Sequence, residues 1–219
     1  MDVIACDVSY ESLGGAFPKH RIEAITVSGG MRERRLRLVT KRAAICNGVI
    51  IGDELVTMTD SERYYERWRF LRKNSIPTAS SMRVADRWNV VMGDMTIDGS
   101  EFFGKEKYHD IGGQISDNIH RSHSSIERIF LGINPLLIKK EIERIQMKLF
   151  GLGVRLPYDD RYDLLVHPDG NWEVLVIDLS LLSRVNNVKE ELRGLKGERE
   201  MMFDRIDAIR ERLINIVRC

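Results

Sequence analysis

In the first part of the chain, apolar and polar residues alternate in short runs, which predicts β-strands separated by turns. The predicted strands cover residues 22–28, 32–41, 81–84 and 90–92, with a short hairpin over 47–58. One stripe of helical spacing interrupts these strands. It begins at Thr59, which Glu62 follows in the spacing of a capping box, and it ends before Pro77. The first part therefore predicts a small sheet with one helix.

From Ile111 onward the apolar spacing changes to that of helices. One helix is predicted to start at Asn134-Pro135, because proline is favoured in the first turn, and to stop at Gly151. A terminal helix carries an apolar stripe in steps of three and four residues, and Arg199 occupies the one missing position. The stripe consists of Val188, Leu192, Leu195, Met202, Ile206, Ile209, Leu213 and Ile216.

Between these helices, residues 163–182 predict a β-hairpin. An apolar run after Asp163 leads into a turn that contains Pro168 and Gly170, and a second apolar run leads out of it to Asp178. Antiparallel strands place the start of one beside the end of the other, so both carboxylates should lie at one end of the hairpin. Carboxylate oxygens are the ligands that Mg²⁺ prefers, and a magnesium site is therefore predicted there.

Composition narrows the class of protein. The chain has 219 residues, with 34 Lys and Arg against 33 Asp and Glu. This balance disfavours nucleic acid or a membrane as the main partner. Three scattered cysteines indicate neither a disulfide framework nor a zinc site. With no apolar run of membrane-spanning length and no signal peptide pattern, we expect a cytoplasmic protein.

The order of these elements resembles the protein kinase fold in a small atypical or bacterial form. The resemblance implies an α+β, two-lobed, kinase-like fold. A small antiparallel-sheet lobe with one helix would occupy residues 1–99. A reduced helical lobe would occupy residues 100–219, with a hairpin over 163–178 and the terminal amphipathic helix. The resemblance further implies that the protein uses ATP and Mg²⁺ to phosphorylate a protein or small-molecule acceptor, which the sequence does not identify.

The resemblance also implies roles for particular residues. Val39-Thr40-Lys41 looks like the strand whose lysine reaches the nucleotide phosphates, and Glu66 on the next helix would pair with Lys41. Ile177-Asp178-Leu179 resembles the metal-binding segment, so Asp178 would hold Mg²⁺ with Asp163 as its helper. The segment lining adenine would be Met92, Gly93, Asp94 and Met95. The proton acceptor would be Asp159 or Asp160.

Several features depart from the family pattern, and one is that Asp163 stands where the family has an asparagine. Ser28-Gly29-Gly30-Met31 is not a spaced glycine-rich loop, and Tyr158 stands where the catalytic aspartate would be counted. A pseudokinase that binds or scaffolds without phosphoryl transfer is therefore the alternative. A third hypothesis is an unrelated α+β protein that forms a homodimer through the terminal helix. By default Lys41 would be a solvent-facing strand residue, Glu66 a surface charge paired with Arg69 or Lys73, and the terminal stripe packed on its own lobe.

Overall fold

The structure is a computed structural model that describes residues 7–12, 22–28, 36–96, 98–104, 123–156, 162–186 and 188–218. The described strands are β1 (Asp7–Ser12), β2 (Ile22–Ser28), β3 (Leu36–Arg42), β4 (Met82–Val84), β5 (Asn89–Gly93), β6 (Glu101–Phe103), β7 (Val154–Arg155), β8 (Tyr162–Val166), β9 (Trp172–Val176) and β10 (Ser183–Arg184). The described helices are α1 (Asp60–Lys73), α2 (Ser125–Gly132), α3 (Pro135–Gly151) and α4 (Val188–Arg218). The chain is α+β with small antiparallel sheets, which confirms the predicted class.

The first sheet has five antiparallel strands in the order β1-β2-β3-β5-β4. In its centre β3 pairs with β5, so that Lys41 lies opposite Val90. The helix α1 packs against β4 and β5 and buries Tyr64 and Leu71. Buried apolar residues from this sheet and helix belong to the same core cluster as those of the later strands and helices. The site described below lies where these parts meet.

The start of α1 follows from a local sequence signal. The Thr59 side chain accepts a hydrogen bond from the Glu62 N–H, and the Glu62 carboxylate accepts one from the Thr59 N–H at 2.7 Å. These bonds satisfy two donors that the first helical turn leaves without partners. The bond from the Thr59 N–H, together with one from the Thr59 hydroxyl, holds the pKa of the Glu62 carboxyl below its usual value. The predicted capping box is therefore present.

Removal of this cap should cost a measurable part of the stability. We expect Thr59→Ala to lower the free energy of unfolding by about 1 kcal/mol, because the N-terminal turn of α1 loses its side-chain acceptor. Urea denaturation followed by circular dichroism measures the change. The control is Thr57→Ala at an exposed position just before the cap, which should change stability by less than about 0.5 kcal/mol. Equal losses in both variants would contradict a role for the cap.

The predicted hairpin over 47–58 is wrong, because these residues form turns and irregular backbone without a strand. Gly52 adopts a positive φ of 61°, and a side chain there would press against Phe70 of α1. A carbonyl in this segment, that of Val49, accepts hydrogen bonds from Arg63 and Arg67. Arginine side chains from α1 thus replace the pairing that a neighbouring strand would have supplied.

The predicted hairpin over 163–178 is present as β8 and β9, which are antiparallel with Asp163 opposite Leu175. A third strand, β6, pairs with the other edge of β8. Gly170 adopts a φ of 91° in the connecting turn, as its position in the sequence predicts. Beyond β9, the short strand β10 pairs with β7, which follows α3. The segment that contains Asp178 therefore runs between two paired regions.

The second half of the apolar stripe of α4 packs within its own chain, whereas Leu192 near its start is 44 % exposed. Ile206, Ile209, Leu213 and Ile216 are buried, as predicted. Arg199, which interrupts the stripe, donates hydrogen bonds to Glu143 and Gln146 of α3. The guanidinium of Arg210 donates to three carbonyl groups at the end of α2, those of Phe130, Leu131 and Ile133. These contacts hold α4 against α2 and α3, whereas a homodimer through α4 stays a prediction.

Candidate functional site

An ion pair joins the first sheet to the segment that follows the hairpin. The ammonium of Lys41, on β3, lies 3.6 Å from Oδ1 of Asp178. The Lys41 side chain is only 12 % exposed, so the default interpretation of a solvent-facing strand lysine is wrong. The Asp178 side chain is 25 % exposed, which leaves part of the carboxylate open to a ligand. The structure thus brings together two of the residues that the resemblance selected.

Tyr64 of α1 lies beneath this ion pair. The Lys41 ammonium is 5.4 Å from the centre of the Tyr64 ring, within the range of a cation–π contact. The Tyr64 hydroxyl donates to the Ile177 carbonyl at 2.8 Å and accepts from the Leu179 N–H at 3.1 Å. The side chain is fully buried, and its burial raises the pKa of the phenol. It therefore contacts the backbone on both sides of Asp178.

Arg67, one helical turn after Tyr64, holds the rest of this segment. Its guanidinium donates to the carbonyls of Leu179 at 2.9 Å and Ser180 at 3.2 Å. It also pairs with the buried carboxylate of Glu54 at 2.5 Å and donates to Asn47 at 2.9 Å. The Arg67 side chain is completely buried, and burial lowers its pKa. A buried charge is stable only with such partners, which here connect residues 47–54, α1 and residues 179–180.

The Asp178 carboxylate also shapes its own turn. Its Oδ1 accepts a hydrogen bond from the Ser180 N–H at 3.0 Å. This contact, in which the amide two residues later donates to the aspartate, is an Asx turn that directs the carboxylate toward the residues that follow it. Asp178 is thus positioned by local backbone geometry as well as by Tyr64.

Asp163 lies on β8, at the same open end of the hairpin as Asp178. Gly104, the residue directly after β6, lies beside Asp163, and a Cβ atom there would overlap with the Asp163 carboxylate. A glycine is therefore required at position 104 for Asp163 to keep its place. Asp178 lies two residues beyond the last residue of β9, while Asp163 is the second residue of β8. The two are thus at one end of the hairpin, as expected from the sequence.

Glu66 has a described partner other than Lys41. Its carboxylate accepts hydrogen bonds from Arg69 at 2.8 and 3.1 Å, and only 9 % of the residue is exposed. Residues two apart on a helix project about 200° from each other, so Glu66 and Tyr64 project to different sides of α1. Tyr64, on the other side of the helix from Glu66, contacts Lys41. A direct pairing of Lys41 with Glu66 stays a prediction.

The segment predicted to line adenine comprises the last two residues of β5 and the two residues after it. Met92 is 7 % exposed, and the Gly93 N–H donates to the Ser81 hydroxyl at 3.1 Å. Asp94 accepts hydrogen bonds from the backbone and hydroxyl of Thr96, which forms a second Asx turn. Met95 packs against the core. These contacts shape the segment, and its role in adenine binding stays a prediction.

The two candidate proton acceptors, Asp159 and Asp160, lie outside the described residues. The same is true of Tyr158 and of Gly29, Gly30 and Met31. His123 is described and has a structural partner. Its Nε2 lies 2.6 Å from the Leu213 carbonyl of α4. This contact connects the start of α2 to the terminal helix.

A groove of about 450 Å³ lies elsewhere, at the junction of α2 and α3 beside the hairpin turn. Ile133, Leu137 and Trp172 are among its lining residues. None of the predicted site residues lines this groove. The candidate site is therefore placed at Lys41 and Asp178 and not at this groove. Lys41 and Asp178 carry charged groups suited to phosphate and metal chemistry.

Two general properties complete the description. Within the described ranges, no three His, Cys, Asp or Glu side chains form a group able to hold a metal ion by themselves. In the same ranges, every helix is too short or too polar to cross a membrane.

No protein-family model, curated protein or solved structure matches the chain.

Proposed function

We propose that this protein binds Mg-ATP between Lys41 and Asp178 and transfers a phosphoryl group in the manner of a protein kinase. The observation that supports this most is the 3.6 Å approach of the two side chains. They come from distant parts of the sequence, and the resemblance selects both for the same nucleotide. The two-lobed kinase-like organisation and the division at residues 99 and 100 belong to this proposal.

The chemistry of the pair suits a nucleotide. Lysine presents a compact positive charge that binds phosphate, and its partial burial strengthens the attraction by lowering the local dielectric constant. Asp178 and Asp163 supply hard oxygen ligands for Mg²⁺, which keeps several waters and takes further oxygens from the phosphates. Because two protein carboxylates are enough for such a shell, a group of three is not required. The ion would neutralise charge on the phosphates.

The roles of the remaining residues follow from this arrangement. Lys41 would orient the phosphates, and Met92, Gly93, Asp94 and Met95 would line the adenine. Asp159 or Asp160 would accept the proton of the acceptor hydroxyl. Phosphoryl transfer depends mainly on positioning and on charge stabilisation, so a rigid Asp178 segment serves it directly.

The second candidate is a pseudokinase that binds nucleotide without transferring phosphate. Two observations favour it. Tyr158 occupies the position counted for the catalytic aspartate, and the Glu66 carboxylate is bonded to Arg69. Slow ATP hydrolysis or phosphate transfer from labelled ATP would favour the enzyme. Binding without either would favour the pseudokinase.

Lys41→Met tests the site. It removes the charge while keeping much of the stem, so the affinity for Mg-ATP should fall about tenfold or more, equivalent to ~1.4 kcal/mol. Isothermal titration calorimetry measures this change.

The chain offers a matched control for this variant in Lys139. Its ammonium pairs with Asp207 and lies 5.3 Å from the Phe203 ring, much as Lys41 pairs with Asp178 above Tyr64. Lys139→Met should leave the affinity unchanged. A wild type that binds no Mg-ATP, or equal losses in both variants, would refute the proposed site.

A further inference from the structure

We infer that Tyr64 is a positioning residue, whose hydroxyl fixes the backbone on both sides of Asp178 and so directs the metal-binding carboxylate. This inference rests on the proposed function, because it assigns the metal site to Asp178. It differs from the predicted role of α1, in which Glu66 would connect the helix to Lys41. Here the connection runs from α1 to the Asp178 segment through a neutral side chain.

The geometry of the hydroxyl supports this role. One oxygen atom donates to the Ile177 carbonyl and accepts from the Leu179 N–H, at 2.8 and 3.1 Å. Asp178 is the residue between these two peptide groups. A change in either bond therefore rotates the backbone that carries the Asp178 side chain.

Burial makes these bonds difficult to replace. Tyr64 is 0 % exposed, and Leu179 is equally buried, so water cannot easily take the place of the hydroxyl. A buried peptide group that loses its partner is costly, which favours local rearrangement of the segment when the hydroxyl is absent. Arg67 holds the Leu179 and Ser180 carbonyls from the same helix, so the displacement would be concentrated around residues 177–179.

The Tyr64 ring also contacts the other member of the ion pair. Lys41 lies over the ring, and Asp178 lies between the two peptide groups that the hydroxyl binds. Tyr64→Phe keeps the ring and removes only the hydroxyl. The variant keeps the cation–π contact of Lys41 but also removes the hydrogen bond between the hydroxyl and the Lys41 side chain, a loss that the metal-free affinity reports.

Tyr64→Phe should change the metal dependence of nucleotide binding. We expect the affinity for Mg-ATP to fall about tenfold, while the affinity for ATP in EDTA falls less than twofold, because the hydroxyl acts through the metal ligand. Calorimetry measures both. Independently, the Leu179 amide should exchange with deuterium at least tenfold faster in the nucleotide-free variant, since its acceptor is gone.

Thr78→Val is the matched control. Thr78 is also buried, and its hydroxyl donates to the Val176 carbonyl at 2.6 Å, so its removal costs a similar hydrogen bond one residue before Ile177. It does not flank Asp178. Thr78→Val should therefore leave the ratio of Mg-ATP to metal-free affinity unchanged, even if the free energy of unfolding falls as much as in Tyr64→Phe.

The possible failures are distinguishable. If the wild type binds Mg-ATP but Tyr64→Phe keeps the same metal dependence, or if Thr78→Val changes it equally, the positioning role is wrong. If the wild type binds no Mg-ATP, the proposed function is wrong and the metal role of Tyr64 with it. Unchanged exchange at Leu179 would in either case show that the hydroxyl does not hold this segment.

Discussion

Asp178→Asn should abolish measurable Mg-ATP binding and leave the fold intact. The substitution keeps the shape of the side chain and its Asx turn to Ser180 but removes the negative charge. Mg²⁺ has few protein ligands in the proposed site, so loss of this carboxylate should lower affinity by about 100-fold or more, equivalent to ~2.7 kcal/mol. Calorimetry with Mg-ATP measures the loss.

The fold should survive because the variant keeps the Asx turn to Ser180, and Lys41 keeps its contact with the Tyr64 ring. The Lys41 side chain is 12 % exposed and that of Asp178 is 25 % exposed, so loss of the pair should cost more than loss of a surface pair but less than the about 3–5 kcal/mol of a fully buried one. The midpoint of thermal unfolding without ligand should therefore fall only moderately. A large fall in that midpoint would show that Asp178 has a structural role instead.

Two further variants complete the test. Asp163→Asn should be milder than Asp178→Asn, because Asp163 is only the helper ligand in the proposed site and asparagine is what the kinase pattern has at this position. Asp169→Asn, in the hairpin turn, removes an aspartate that accepts a similar bond from the Asn171 N–H at 2.9 Å. It should not alter affinity. Equal affinities in all variants and the wild type would exclude the metal site.

Arg67→Met should cause the largest loss of stability among the variants considered. The substitution leaves the Glu54 carboxylate buried with only Arg63 to pair with it. It also removes the donors to the Leu179 and Ser180 carbonyls. Breaking one side of a buried ion pair costs about 3–5 kcal/mol, so the free energy of unfolding should fall by that amount. Urea denaturation followed by tryptophan fluorescence measures it.

An exposed arginine provides the control. Arg144 pairs with Glu141 one helical turn away on α3, and its side chain is 53 % exposed. Arg144→Met should cost less than about 0.5 kcal/mol, since such surface pairs contribute little. Similar losses for the two arginine variants would contradict the importance of the buried network. Addition of Glu54→Gln to Arg67→Met should recover part of the loss, because the unpaired charge is removed.

Much of the secondary structure could be predicted because its signals are local. The Thr59 capping box, the proline after Asn134 and the positive φ of Gly170 each act within a few residues. The stripe of α4 likewise identified buried positions such as Leu213 through helical spacing alone. The short strands β7 and β10 were not predicted. Each has two residues, which is too few for an alternation of apolar and polar residues to be recognised.

The segment over residues 47–58 shows where local patterns mislead. Its apolar residues suggested a hairpin, yet Leu55 and Val56 are exposed and no strand forms. The backbone of this segment is held instead by Arg63 and Arg67, which follow it in the sequence on another element. Hydrogen bonds from side chains of the following helix leave no periodic signal in the segment that accepts them. The pattern therefore could not distinguish this loop from a strand pair.

The sequence by itself determined the α+β class, the positions of most helices and the hairpin that ends near Asp178, because hydrogen bonding and apolar spacing act over short stretches of chain. Only the tertiary structure decided which face of α1 meets β3. That choice placed Tyr64 against Lys41, while the Glu66 carboxylate bonds to Arg69. It also buried Arg67 against the Asp178 segment. The side of a helix that faces a sheet depends on how the whole core packs, and no local sequence pattern encodes this.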